Sequence, residues 1–145
     1  MADEETAVAV CYSLKIDGDD LGTFDSCDGL GCEVEMEQRV EGGNNGHVWQ
    51  LPTRVRFSNV RLSRPVTAAS RDVTRWFAGS VHGMRRRTAT IEARTLQGEL
   101  ITSWGLRDVV PVRWTGPRFD SMTPEAAMET VELAHHGFFG PGWGG

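Results

Sequence analysis

With 145 residues the chain is sized for one compact domain, and 39% hydrophobic residues are enough to build a core. Fifteen basic against 20 acidic side chains give a net charge of -5 and a pI near 5.3, which argues against a dedicated nucleic-acid binder because neutralising phosphates needs a basic face. The first residues are acidic where a secretory leader is basic, no segment approaches the ~20 apolar residues of a membrane span, and the three cysteines cannot all pair within one chain. These features read as a protein kept in the cytoplasm with reduced thiols.

In chain order, Val8, Val10, Tyr12, Leu14 and Ile16 alternate with smaller or polar residues, the two-residue period of a strand with one buried face. DGDDLG, from Asp17 to Gly22, then reads as a turn. CEVEMEQRV sets Cys32, Val34, Met36 and Val40 on one face and Glu33, Glu35 and Glu37 on the other, an acidic ridge on a strand. The stretch VEGGNNGHVWQLP that follows combines glycines and asparagines with the apolar residues Val48, Trp49 and Leu51, which a solvent loop has little reason to carry.

Val55 and Phe57 next alternate with polar residues, and Val60 and Leu62 resume one residue out of phase, predicting a strand with a bulge near Asn59. SRDVTRWFAGS places Val73, Trp76 and Phe77 at i, i+3 and i+4, with Ser70 to cap a short amphipathic helix and Gly79 to end it. The arginine triplet Arg85, Arg86 and Arg87 reads either as a solvated or salt-bridged strand end or as a contact for an anionic partner. LQGEL centres a hairpin, and Val110, Val112 and Trp114 form a further run in which Pro111 marks an edge or a strand start. MTPEAAMETVELAHHGFF is ambiguous: Thr123 before Pro124 and Glu125 looks like a helix start, yet METVELAHHG also alternates as a strand. The sum is a mainly β, antiparallel barrel or sandwich with one short flanking α-helix, spanning residues 1–137, and a glycine-rich tail at 138–145.

Catalytic patterns are sparse. The chain holds no nucleophile elbow or phosphate loop, and His47, His82, His135 and His136 lack a carboxylate and nucleophile at a recognised spacing. Asp17, Asp19, Gly22 and Asp28 begin like a calcium loop, but Leu21 stands where an oxygen ligand belongs and Asp28 is too short for the bidentate Glu. Cys27 and Cys32, four residues apart, lack the second pair that zinc would need, so buried thiols are the simpler reading. The residues alone favour a non-enzymatic β domain without cofactor or metal, beside two rivals: a monomeric β-barrel that binds small molecules or peptides, and a metal enzyme built on the Cys and His residues.

Several stretches taken together resemble the tail tube (inner tube) proteins of contractile-tailed phages and phage-like contractile injection systems. They are YSLKIDGDDLGTFDSCDGLGCEVE, VEGGNNGHVWQLPTRVRFSNVRLSR, VTRWF, LQGELITSW, PVRWTGP and METVELAHHG, in order from about Tyr12 to Gly137. The most specific parts are the EGGN loop, the F-x-N-V-x-L stretch and the terminal E-L-x-H-x-G. The resemblance implies six copies closing into a ring and rings stacking into an inner tube that a contractile sheath drives through a membrane. Baseplate, spike and tube-terminating proteins are the implied partners, and protein cargo or phage DNA the implied contents of the lumen. The assembled particle would lie in the bacterial cytoplasm or a virion tail, or outside the cell after release, with no stable membrane association of the subunit.

The resemblance also implies that METVELAHHG is a strand. Two departures stand out: Ser63-Arg64-Pro65 replaces the usual basic residue plus glycine, which is expected to alter a turn, and FFGPGWGG runs past the usual end. On this reading Glu41, Gly42, Gly43, Asn44, Asn45, Gly46, His47, Val48, Trp49 and Leu51 form an inter-ring contact loop that orders only when rings stack. Glu33, Glu35 and Glu37 line either the lumen or a subunit interface.

Overall fold

The computed structural model describes residues 9–40, 48–83, 85–117, 122, 127–140 and 143. Ten strands and one helix run in the order β1 (Val10–Ile16), β2 (Asp19–Phe24), β3 (Ser26–Asp28), β4 (Cys32–Val40), β5 (Val48–Phe57), β6 (Val60–Pro65), α1 (Ser70–Val81), β7 (Arg87–Thr95), β8 (Leu100–Thr115), β9 (Met128–Ala134) and β10 (Phe138–Phe139). All but two strands belong to one antiparallel sheet with the order β2-β1-β7-β8-β9-β6-β3, β10 adding to β8; β4 and β5 form a separate hairpin.

The sheet is not a closed barrel, because the ladder has two ends, β2 and β3. A single residue, Asp25, separates those ends in the chain, so the sheet must curl until they meet. Its opposite corner lies in β8. The first half of this 16-residue strand pairs with β7 as far as Val109, and the second half pairs with β9 from Val110. Just before this exchange Asp108 takes a left-handed backbone (φ 52°), at the register shift where the strand bends from one half-sheet to the other. Pro111 is therefore neither a strand start nor at a solvent edge: it is buried in mid-β8, opposite Leu133, just past this exchange of partners.

Leu14, Ile16, Phe24, Val60, Leu62, Ile91, Leu106, Val131 and Leu133 fill the space between the half-sheets and are wholly or almost wholly buried. The alternation in β1, β6, β7 and β9 supplies this face, every second residue pointing inward. In β6 and β9 the inward series continues into two charged residues, Arg64 and Glu129, which are register partners. Arg64 Nε donates to Glu129 Oε2 at 2.8 Å, and its Nη1 donates to the Leu21 carbonyl of β2 at 2.8 Å. Ser70 at the start of α1 and Trp114 of β8 complete the carboxylate's shell by donating to Oε2 and Oε1. The guanidinium also lies over the Phe24 ring, 4.1 Å from its centroid. Gly22 makes room for it: its backbone is left-handed (φ 100°), and a Cβ there would sit 2.5 Å from Arg64 Nη1.

Several sequence expectations change here. Asp17 and Gly18 alone make the turn after β1, and the rest of DGDDLG is strand β2. The phase change near Asn59 separates two strands that lie in different sheets, rather than bulging one. Ser63-Arg64-Pro65 is strand, with Arg64 buried, and not an altered turn. Ser70 is the first helical residue after an Ala69 N-cap; its hydroxyl is committed to Glu129, and α1 runs past Gly79 to Val81. Met128–Ala134 of METVELAHHG is strand β9, as the resemblance implied; Thr123, Pro124 and Glu125 lie outside the described residues.

Trp76 is 8% exposed beneath α1, so Trp76→Ala is expected to cost about 3–5 kcal/mol in chemical denaturation. Arg64→Met, which strands Glu129 without its counter-charge, is expected to cost about 3–5 kcal/mol as well. Burial pushes the Glu129 carboxyl up, but the hydrogen bonds from Ser70, Trp114 and Arg64 outweigh it and hold its pKa below the ordinary 4.5. The stability this contributes is full above that ordinary value and is lost as pH falls through the lower folded value. Acid titration of Glu129→Gln should lack that part of the acid loss.

Candidate functional site: the β4–β5 hairpin and its root

The β4–β5 hairpin is the one two-stranded sheet among the described residues, and every residue of β4 except Glu35 is exposed. Nine register pairs run from Cys32–Phe57 to Val40–Val48, with a shift at Glu35/Met36 where Thr53 is the extra residue on β5. Register partners share a face, so Cys32, Val34, Met36 and Val40 lie with Val48, Pro52, Val55 and Phe57. Met36, Val48 and Val55 are each about half exposed, and Val40 is 72% exposed. An apolar strand face of this extent is left to water in the single chain.

The opposite face carries Glu33, Glu35, Glu37 and Arg39 of β4 against Arg56, Arg54, Leu51 and Trp49 of β5. Glu35 accepts from both Arg54, at 3.1 Å, and Arg56. The acidic ridge is therefore matched by arginines from its own chain. Exposed pairs of this kind contribute about 0–1 kcal/mol, and they set the charge of the face more than its stability. Val48, Trp49 and Leu51, expected to order only with a neighbouring ring, are already strand in the single chain, paired with Val40, Arg39 and Glu37. Glu41, Gly42, Gly43, Asn44, Asn45, Gly46 and His47 lie outside the described residues.

The hairpin is rooted in the body by two sequence stretches that lie far apart in the chain. Phe57, Asn59, Val60 and Leu62 come from F-x-N-V-x-L, and Glu132, Leu133, His135 and Gly137 from E-L-x-H-x-G. Val60 pairs with Leu133 in the ladder, Asn59 Nδ2 donates to Glu132 Oε2 at 2.8 Å, and Arg61 Nε donates to Glu132 Oε1 at 3.3 Å. These hydrogen bonds, Asn59 first, keep Glu132 below the usual carboxylate range. The Phe57 ring packs on His135, with centroids 5.5 Å apart, and edge-on against Phe138 at 5.7 Å. Gly137, with φ 130°, passes so close that a Cβ there would lie 3.3 Å from the Phe57 ring. Sequence reading singled out both motifs but not that they interlock, because nothing local in either names the other.

Other candidates are scattered. Asp17, Asp19, Gly22 and Asp28 run through a turn and two strands on opposite edges of the sheet, not one loop. Arg87 pairs with Asp17 at 2.9 Å, and Arg86 donates to the Asp108 carbonyl, as a salt-bridged strand end would. Burial, and then Asp28, raise the Cys27 thiol to about 11, which keeps it protonated and inert. Among the described residues no group of three or more His, Cys, Asp or Glu is placed to hold a metal ion, and no helix is long and apolar enough to cross a membrane.

Comparison with known proteins follows the same lines. The fold is similar to a chain of the anti-feeding prophage baseplate (TM-score 0.76, 21% identity, 96% of each chain covered). It is also similar to a chain of the PVC extracellular contractile injection system sheath-tube complex in the extended state (TM-score 0.74, 18% identity, 88% of this chain and 86% of that one). Hcp1 from Salmonella typhimurium is more distant (TM-score 0.52, 17% identity, 88% and 82% covered). At these identities the likeness establishes the fold. No curated protein sequence matches significantly. The family profile of the T4-like virus tail tube protein gp19 matches residues 8–139, nearly the whole chain, and the protein belongs to that family.

Proposed function

We propose that the chain is the repeating structural subunit of an inner tube, six copies closing into a ring and rings stacking into a conduit. The observation that carries this reading is the uncovered apolar face of β4–β5. A two-stranded hairpin is marginal alone in water, and a contiguous apolar patch on it marks a protein contact. The occupant is a second copy of the chain, since a head-to-tail contact around a closed rotation makes a ring. The role is structural rather than catalytic.

The hairpin divides the work by face. Cys32, Val34, Met36, Val40 and Val55 dock on the neighbouring copy, while Glu33, Glu35 and Glu37 with their arginines stay in water, in the lumen or on the tube surface. The segment Glu41 to His47, with Val48, Trp49 and Leu51, makes the contact between rings. Sheath, baseplate and tube-terminating proteins are the partners, by analogy with the assemblies in which similar folds occur. The particle is assembled in the bacterial cytoplasm or carried as a phage tail, and the lumen passes protein cargo or DNA. A monomeric ligand-binding barrel gains no support, since the space between the half-sheets is filled by core side chains.

Electron microscopy and size-exclusion chromatography of the purified protein test the reading, with rings or tubes expected and a persistent monomer at high concentration overturning it. Val34→Lys together with Met36→Lys should leave the melting temperature near that of the parent and abolish rings. Shortening Gly42–Gly46, or Trp49→Ser, should spare single rings and abolish long tubes; a shortened variant that polymerises as well as the parent would remove the loop from the contact.

A further inference from the structure

The root of the hairpin contains a histidine whose burial favours its neutral form. His135 is 5% exposed, follows the last residue of β9, and sits between Phe57 of the hairpin and Phe138 of β10, its ring centroid 5.5 Å and 5.1 Å from theirs. The Gly137 N–H donates to Nδ1 at 3.1 Å, so that nitrogen carries no proton, and the buried Nε2 has no hydrogen-bond partner of ordinary geometry among the described residues. Protonating Nδ1 would set two donors against each other. The ring would have to turn toward the Gly137 carbonyl, 3.3 Å away, and in turning leave the N–H that holds it against Phe57.

Trp143 stacks on Phe138 at 4.7 Å, extending the aromatic row from the hairpin to the C-terminal residues beyond the family match. We propose that His135 is a proton-operated latch on the β4–β5 hairpin, closed when neutral and released when protonated, with Trp143 as its cover. The latch acts on whatever the hairpin touches, so it holds for the single chain whether or not the tube reading stands.

The charged groups on the packed elements are few. On β9, Glu132 is engaged by Asn59 and Arg61. On β8 stand Arg107 and Asp108, Asp108 lying 3.7 Å from His136, and on the hairpin Arg56 is paired with Glu35, beside Glu33. Among the described residues no carboxylate stabilises a charged His135. Burial pushes its pKa below 6.5, outweighing the backbone hydrogen bonds with Gly137 and then Ser58 that favour the charged form, and His136 adds the least. The sign is set by that direction: the unfolded or released state binds the proton more readily. The hairpin's hold is therefore full above 6.5 and declines as pH falls from there to the lower folded value.

Hydrogen–deuterium exchange of the full-length chain, corrected for intrinsic rates, tests the latch. Between about pH 7.5 and 5.5, the range in which histidine changes charge, protection in β4 and β5 is expected to fall selectively relative to β7 and β8. His135→Phe should lose that difference, whereas His136→Gln should keep it. Equal loss in the parent and His135→Phe, or no selective loss in the parent, overturns the proposal. If His135→Phe does not fold, the NMR titration of His135 decides in the parent: a pKa at or above 6.5 overturns it. Trp143→Ala should move that titration upward toward 6.5, and an unmoved titration removes Trp143 from the cover. Because exchange reads the single chain, its outcome is separate from whether rings form.

Discussion

At the corner where β2 gives way to β3 the chain crosses between half-sheets through Asp25 alone, and a guanidinium sealed from water holds the crossing. Arg64 reaches from β6 to the Leu21 carbonyl of β2, and its partner Glu129 gathers Ser70 of α1 and Trp114 of β8. One ion pair thus ties α1 to four strands and joins β2 to β6, which the ladder separates by four intervening strands. Burying two charges costs several kcal/mol each, and mutual attraction offsets that only when the remaining donors and acceptors are satisfied. Both Glu129 oxygens are. Arg64 Nη2 has no partner among the described residues, and the Phe24 face 4.1 Å from the guanidinium supplies a weaker, non-directional substitute. The pair therefore serves the geometry of the corner more than net stability, as a network that admits one arrangement.

A body fixed in this way can afford a hairpin that meets the core through Phe57 at its root. β4 and β5 pair with each other and with no other described strand, so their orientation depends on the Phe57–His135–Phe138 packing and the Asn59–Glu132 bond at the root. Rigidity at the root and apolar surface above it are what a docking element needs, because a contact made by a preordered strand does not have to order it on binding.

The alternation of apolar residues made β1, β4, the β7–β8 hairpin and the helix legible in the sequence. What it hid has physical reasons. β2 reads as a turn because Asp, Gly and Asp are turn residues, yet Gly22 serves a left-handed kink inside a strand rather than a reversal. The phase slip near Asn59 looks the same locally whether a strand bulges or the chain changes sheets, and only the partners of β5 and β6 separate the two. The burial of Arg64 was hidden because arginine is rarely buried; its inward phase with Val60 and Leu62 was the available signal. Of the proposed contact residues, the exposure of Val34, Met36 and Val40 was not legible, since an alternating strand announces a face to be covered without saying by which chain.

Charge on the hairpin gives the same lesson in reverse. From β4 alone, Glu33, Glu35 and Glu37 look like an acidic ridge able to repel a polyanion. Across the register stand Arg54 and Arg56, with Arg39 further along the same face, so three carboxylates meet three guanidiniums. Beyond the Debye length of about 8 Å at physiological ionic strength such a set presents almost no field. The chain's net charge of -5 must then be carried elsewhere. If this face lines a conduit, six copies would offer passing cargo a wall of closely spaced opposite charges, well hydrated and without a preferred sign. Such a wall discourages sticking by hydration rather than by repulsion, and so tolerates acidic and basic cargo alike.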